Sequence, residues 1–504
     1  MNIDSLFCHA KQRIKTDLIE PYQPYGIRWM LSREIQTIRM FEETMPFGGI
    51  VADEVGLGKT ILSIGVMLGN LVKRTLIILP KSLICQWEAQ INMFSELKVH
   101  IIRKSSDEIQ MFDEEYGHVY LVSQSLLNLR NSVVGSSVVH NVHWDRIIVD
   151  EAHMLRNCKS KLYESCSMLR TGVRWALTAT PVMNRMVDYV NIMNWIGVSK
   201  FLCQGEKDAI TNTFILRRTK ADVKTFNPSL SMSDCIVQVK KVPFQSYDEA
   251  NIYIQVFNQE RRKIQTKAKT TTTDLLEHLL RIRQVCIHPQ LYIDGMSRKN
   301  KPTEYSHWER DTTKIKALLS CLRDQPREDK TLIFCQFVRE MDIYENVLAD
   351  SEFNCVRLDG NMSLTDRNQA VQSFSNDPNV HVFLIQINTG GQGINLQAAN
   401  RIYIMSPNWN PAMEYQAIGR AHRTGQKKTV YVTKFCITSG DKQMPFIEEN
   451  ILKLQEKKKD IIANILNDHR IKETIEHNNI LCEGAGSLSA KEIRALFNIH
   501  QMRS

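Results

Sequence analysis

Residues 53–60 read Asp53-Glu54-Val55-Gly56-Leu57-Gly58-Lys59-Thr60. An apolar approach, Gly48-Gly49-Ile50-Val51-Ala52, runs into them, and a helix-like run, Ile61 to Leu71, leads away. A glycine-rich turn between a strand and a helix is an anion site. Its backbone N–H groups point inward, and the helix dipole adds positive potential. In that geometry Lys59 reaches the β- and γ-phosphates of a nucleotide, and the Thr60 hydroxyl binds Mg²⁺. Asp53 stands where the first glycine of the full phosphate-loop pattern belongs. A surface turn ahead of a helix explains the glycines, but explains Gly58-Lys59-Thr60 in that order less well. The decision rests on what lies downstream.

Buried-strand patterns follow: Thr75 to Leu79, Val119 to Ser123, Arg146 to Val149 and Trp175 to Leu177. Helical stretches separate them, so a parallel sheet covered on both faces is expected. Ligands collect at the carboxyl ends of such strands. Asp150-Glu151-Ala152-His153 follows one strand directly, and Thr178-Ala179-Thr180-Pro181 another. Two acids after an apolar strand are poorly explained by packing. Asp150 would hold the Mg²⁺ shell and Glu151 would orient the attacking water. His153, Thr178 and Thr180 would sense the γ-phosphate, although turn and cap chemistry explains them as well. About thirty residues before the loop, Gln23 offers both a donor and an acceptor, which suits an adenine edge.

The chain of 504 residues is too long for one core. Its longest apolar runs are strand-length, which excludes a membrane span. The N-terminus lacks a signal-peptide pattern, so an intracellular protein is expected. Twelve cysteines contain no C-x-x-C pair, which argues against zinc. The net charge is +9, and residues 205–310 hold 18 basic against 12 acidic residues. That excess fits a polyanion partner without requiring one. Nothing calls for a second copy, and a monomer is expected.

These readings divide the chain into a lead-in at 1–20, a first lobe at 21–204, a helical insertion and linker at 205–312, a second lobe at 313–440 and a helical tail at 441–504. The insertion carries Arg217, Arg218 and Lys220, then a long helix from Tyr247 to Thr270 with Arg261, Arg262, Lys263, Lys267 and Lys269. Contact with nucleic-acid phosphate and a solvated helix face explain that second run equally well. The second lobe has strand patterns at Thr331–Cys335, Cys355–Leu358, Val382–Ile385 and Arg401–Ile404. Arg420 and Arg423 lie three apart, which places them on one helix face. Arginines from a second lobe can stabilise transition-state charge on a γ-phosphate. The tail could brace the second lobe or bind a partner, and packing explains it better.

In order, the stretches YQPYGIRWM, DEVGLGKT, ILPKSLICQWEAQI, DEAH, LTATP, FILRRTK, LRIRQVCIHP, LIFCQF, RLDGNMS, TGGQGINLQAAN, NWNP and QAIGRAHRTGQ cover roughly residues 20–430. The chain resembles the Snf-type (switch/sucrose-nonfermentable) DNA-dependent ATPases of helicase superfamily II. The resemblance implies an α/β fold of two RecA-like lobes with Snf-type helical insertions, ATP and Mg²⁺ between the lobes, and duplex DNA in the cleft. It implies adenine contact by Gln23 and phosphate and metal binding by residues 53–60. Metal and water fall to Asp150 and Glu151, and finger roles to Arg420 and Arg423. Gly391 and Gly393, within Thr389–Asn395, would complete the site, and Asn408–Pro411 would touch DNA or couple it to ATP. The departures are Ala152, Ser406, Gly419 and Thr424, where relatives often carry Gly, Asp, an acid and Ile. None removes a catalytic group. Within the family, the bare motor is similar to the global transactivators of large insect DNA viruses, which implies action in a nucleus on chromatin or transcription proteins. A strand-separating helicase and a non-enzymatic regulator on a motor fold stay open as alternatives.

Overall fold

The structure is a computed structural model. It describes residues 2–104, 107, 109, 115–127, 137–179, 181, 186–227, 233–266, 271–299, 303, 306–308, 310–390, 394–438, 446–466 and 488–499. The chain divides into two compact units, with the boundary between Ser231 and Met232. Each is built on a parallel sheet with flanking helices, the two-lobed RecA-like arrangement.

The first sheet has seven strands: β1 (Phe47–Val51), β2 (Arg74–Leu79), β3 (Lys98–Ile102), β4 (His118–Ser123), β5 (Arg146–Asp150), β6 (Val173–Leu177) and β7 (Ile215–Leu216). Their spatial order is β7-β1-β6-β5-β2-β4-β3, and every pairing is parallel. Central strands such as β2 and β4 are apolar on both faces because helices cover both. Two of those helices are α1 (Tyr22–Ile35) and α2 (Lys59–Gly69). Ile27, Met30 and Leu31 of α1 join Leu62, Ile64 and Val66 of α2 in one buried cluster with Val51 and Ile77.

The second sheet has six strands: β8 (Cys235–Pro243), β9 (Lys330–Cys335), β10 (Cys355–Leu358), β11 (Val382–Gln386), β12 (Ala399–Ile404) and β13 (Val430–Thr438). Their order is β8-β13-β12-β9-β11-β10, again all parallel. In the same unit, α3 (Tyr247–Thr266), α4 (Thr272–Ile287), α5 (Pro289–Ser297), α6 (Pro411–Ile418) and α7 (Ile447–Leu466) complete the elements used below. No helix among the described residues is long and apolar enough to cross a membrane.

Two features differ from the sequence reading of 205–312 as a helical insertion. Residues 205–227 belong to the first unit, where β7 pairs with β1. Residues 235–243 are not helical but form β8, a nine-residue edge strand against β13. Its side chains are mostly exposed, and Gln238, Lys240 and Lys241 interrupt its apolar pattern, so no buried-strand signal exists to read. Of the basic run on α3, Lys263 pairs with Glu260 at 2.6 Å and Arg261 donates to the Asn498 carbonyl at 3.4 Å, while Arg262 faces solvent. Lys267 and Lys269 lie outside the described residues.

Candidate active site

In the first unit β1 ends at Val51 and the chain crosses to α2 through a loop with two left-handed glycines, Gly56 (φ 93°) and Gly58 (φ 85°). Glycine adopts that backbone without the steric cost other residues meet. Gly58 also leaves room for a neighbour, since a Cβ there would stand 2.8 Å from Gln23 Nε2. Gln23 is buried, accepts from the Ile19 N–H at 2.8 Å and donates to the Tyr22 hydroxyl at 3.3 Å. It therefore sits against the Gly58 end of the loop. Lys59 opens α2, with Thr60 next to it in the first turn.

The side chains of Asp53 and Glu54 do not face the anion cradle. Asp53 is fully buried, and Arg218 grips its carboxylate from two sides. The Arg218 backbone N–H and Nε each donate to Oδ1 at 3.0 Å, and Nη2 donates to Oδ2. Glu54 accepts from the Lys220 N–H at 2.8 Å, and Lys220 Nζ lies 3.5 Å from its carboxylate. The missing first glycine is therefore an anchor that ties the loop to the Arg217–Lys220 segment. Arg217 Nη1 reaches the carbonyls of Ala52 and Ala179, each at 3.4 Å.

Sheet register brings the acids to the loop. Leu177 of β6 pairs with Val51 on one side and Asp150 on the other, so all three strand ends are level. The Thr178 N–H donates to the Val51 carbonyl at 3.1 Å. Trp87 Nε1 donates to Asp150 Oδ2 at 2.8 Å, the Glu151 N–H donates to Oδ1 at 2.9 Å, and Gln124 Nε2 donates to the Asp150 carbonyl at 3.0 Å. Glu151 has a left-handed backbone, φ 50° and ψ 46°. For a non-glycine residue this costs about 1–3 kcal/mol and is held only where the surroundings impose it. His153 Nδ1 lies 3.2 Å from Glu151 Oε2.

Burial, followed by the neighbouring Glu151 charge, pushes the Asp150 carboxyl up to about 6; bonds from Trp87 and the Glu151 N–H and the charge of Lys59 oppose the rise. Two carboxylates so crowded favour a cation. An Asp carboxylate and a Thr hydroxyl are hard oxygen donors of the kind Mg²⁺ takes.

In the second unit α6 ends at Ile418, so Arg420 and Arg423 lie on the turns after the helix and not on one helix face. The Leu396 N–H donates to the Arg420 carbonyl at 3.0 Å, and the Gln426 N–H to the Arg423 carbonyl at 3.0 Å. Arg420 is buried, and burial lowers the Arg423 pKa. Asn408 and Asn410 are buried in capping bonds: the Asn410 N–H to Asn408 Oδ1 at 2.9 Å and the Ala412 N–H to Asn410 Oδ1 at 3.1 Å. Arg283 of α4 stacks over Trp409 at 4.6 Å and donates to the Pro407 carbonyl at 3.2 Å, which fixes the same turn. Thr180, Gly391 and Gly393 lie outside the described residues.

Residues 22–207 match the SNF2-related domain, and residues 313–425 match the helicase conserved C-terminal domain. The chain thus carries an SNF2-related domain followed by a helicase conserved C-terminal domain. It is 27% identical to the chromatin remodeling factor mit1 of Schizosaccharomyces pombe, over 99% of this chain and 36% of that protein. It is also 27% identical to the human SWI/SNF-related matrix-associated actin-dependent regulator of chromatin subfamily A member 1, over 88% of this chain and 43% of that protein. The chain thus spans less than half the length of these relatives. Among solved structures it is similar to the Sulfolobus solfataricus SWI2/SNF2 ATPase core in complex with dsDNA, with 25% identity, a TM-score of 0.39, and 96% and 97% of the two chains covered.

Three side chains of this site escape the sequence reading. Trp87 lies inside the ILPKSLICQWEAQI stretch, and Arg218 inside FILRRTK, so both were flagged by motif but not by role. Gln124 carries no sequence signal; only the fold takes it to the Asp150 carbonyl.

Proposed function

We propose that the chain is a DNA-stimulated ATPase that moves along duplex DNA and displaces or rearranges proteins bound to it. The observation that carries this reading is the level register of Val51, Leu177 and Asp150, which sets a phosphate loop beside a pair of acids. Lys59 and the loop N–H groups would hold the phosphates of ATP, and Gln23 the adenine edge. Thr60 and Asp150 would hold Mg²⁺, which supplies charge neutralisation at the phosphates when bound. Glu151 would orient the attacking water, and His153 beside it would sense the γ-phosphate. Arg420 and Arg423 would supply positive charge to the transition state, and Gly391 and Gly393 would complete the site. Duplex DNA as partner is in keeping with the chromatin that the names of two relatives carry and with the basic excess mid-chain.

For the cellular role we infer transcription regulation in a nucleus, the setting implied by the resemblance to the viral transactivators. The test is phosphate release by purified protein at low salt, with no DNA, single-stranded DNA or duplex DNA. Stimulation by duplex is the expected result. A duplex-independent rate, or none, sinks the translocase reading. A fluorescent unwinding assay separates it from a strand-separating helicase.

A further inference from the structure

The Arg218 guanidinium joins three segments distant in sequence. On one side it holds both oxygens of Asp53, the first residue of the phosphate loop. On the other, Nη1 donates to the Tyr22 carbonyl, and the guanidinium lies 5.2 Å from the centre of the Tyr22 ring. Tyr22 directly precedes Gln23, which rests against Gly58 at the far end of the loop. Space for the link comes from Gly26, where a Cβ would stand 2.8 Å from Arg218 Nη2. Arg218 is 7% exposed and Asp53 is fully buried. Moving Asp53 would leave a buried charge unpaired, and moving Tyr22 would take a carbonyl acceptor from a buried guanidinium, both of them unfavourable. The start of α1 and the loop therefore move as one body.

We propose that Arg218 is a positioning residue that couples base recognition at Tyr22–Gln23 to the phosphate loop at Asp53–Lys59. It thereby sets selectivity for adenine nucleotides without touching the nucleotide. This rests on the nucleotide reading of the site. A second buried pair in the same unit provides the contrast. Arg146 donates to Glu34, at the far end of α1 from Gln23, from Nε at 2.6 Å and Nη2 at 2.5 Å, and its other bonds go to Thr75 and the Asn70 carbonyl, none of them in the loop. Removing that pair should lower stability and leave selectivity alone.

The experiment measures kcat and KM for ATP and for GTP, binding of fluorescent ATP and GTP analogues, and melting temperature. The proteins are wild type, Arg218→Met, Arg218→Lys, Gln23→Ala, the Gln23→Ala/Arg218→Met double variant and Arg146→Met. Arg218→Met should raise KM for ATP about tenfold or more, with kcat falling less, since small misplacements far from the chemistry carry such costs. Its ATP-over-GTP preference should fall to that of Gln23→Ala, and the double variant should be no worse than either single one, because coupled residues are non-additive. Arg218→Lys keeps the charge without the fork and should restore only part of the preference. If Arg218→Met does not fold, Gly26→Ala replaces it. Alanine is the better helix former, so lost selectivity there cannot come from a weaker helix, and Gly26→Ala/Leu62→Ala, which removes the 3.0 Å contact with Leu62, should keep the loss. An unchanged ATP-to-GTP ratio in the Arg218 or Gly26 variants overturns the proposal. So does strict additivity with Gln23→Ala, or an equal loss of selectivity in Arg146→Met. A wild-type chain that binds neither analogue overturns the nucleotide reading itself.

Discussion

Lys59 Nζ donates a hydrogen bond to the Asp53 carbonyl oxygen 2.8 Å away, so the ammonium is folded back onto the start of its own loop. A phosphate entering the loop would compete for that ammonium as a charged acceptor, which is the stronger partner. Lys59→Ala should therefore leave the nucleotide-free protein nearly as stable as wild type, because this bond is part-buried and neutral on one side. It should lower ATP turnover by about a thousandfold or more, the range for removing a central phosphate-stabilising charge. Thermal melts with and without ATP provide the check. Wild type should gain stability with ligand by mass action, and the variant should gain little. An equal gain in both would dismiss Lys59 as a phosphate ligand.

Glu151 is held in a left-handed backbone at the end of β5, next to Asp150. Glu151→Gln keeps the shape and removes the carboxylate base. Turnover should fall by about 10²–10⁴-fold, as for loss of a general base, while bound ATP is retained. A filter-binding measurement alongside phosphate release checks both halves. Loss of ATP binding in this variant would assign Glu151 to ground-state binding instead.

Burial, with the Glu151 charge beside it, pushes the Asp150 carboxyl up from its ordinary value of 3.8 to about 6 in the folded chain. The folded state therefore holds this proton more tightly than the unfolded one. Wild type loses that preference as pH rises from about 4 to about 6, and above 6 the full penalty of a buried carboxylate remains. Asp150→Asn should match wild type in melting temperature near pH 4, exceed it increasingly up to pH 6, and hold a constant margin above that. Turnover by wild type should rise through pH 6 as Asp150 ionises, and excess Mg²⁺ should move that midpoint down, because metal binding displaces the proton. A melting difference independent of pH would show that Asp150 is not the titrating group.

The sequence carried the sheet cores and the loop because their signals are local. Apolar β-branched runs closed by polar residues mark β2, β4 and β5, and two glycines before Lys59 mark the turn. It missed β7 and β8 for opposite reasons. Ile215-Leu216 is too short to show a period, and β8 is exposed on an edge, where polar residues are tolerated. The partner of Asp53 was not legible either, since Arg218 is 165 residues away and only folding brings them together. Spacing also misled: Arg420 and Arg423 stand three apart, but α6 stops at Ile418, so the i, i+3 rule does not apply to them.

The tail helix α7 is anchored through Glu448, whose carboxylate and partner Lys314 are both fully buried. Lys314 Nζ donates to Glu448 Oε1 at 2.6 Å and to the Met405 carbonyl at 2.6 Å, Ser406 Oγ donates to Oε1 at 2.7 Å, and the Ile437 N–H donates to Oε2 at 2.7 Å. One carboxylate thus joins the end of β12 to β13, and Phe446, Ile447 and Ile451 pack beside it. Glu448→Ala strands a buried ammonium and should cost about 3–5 kcal/mol, against less for Glu448→Gln, which can still accept. The same geometry sets the Ser406 hydroxyl directly against that carboxylate. A second carboxylate there would crowd Glu448 at Lys314, while Arg283, which also feels the Glu448 charge, is held by the Pro407 carbonyl and Trp409. Ser406→Asp alone should therefore destabilise the chain, and Ser406→Asp with Glu448→Gln should recover most of the loss, because a single negative charge again meets Lys314. Urea unfolding of the four proteins measures this. Additive losses in the double variant would refute the shared-charge account of the tail's anchorage.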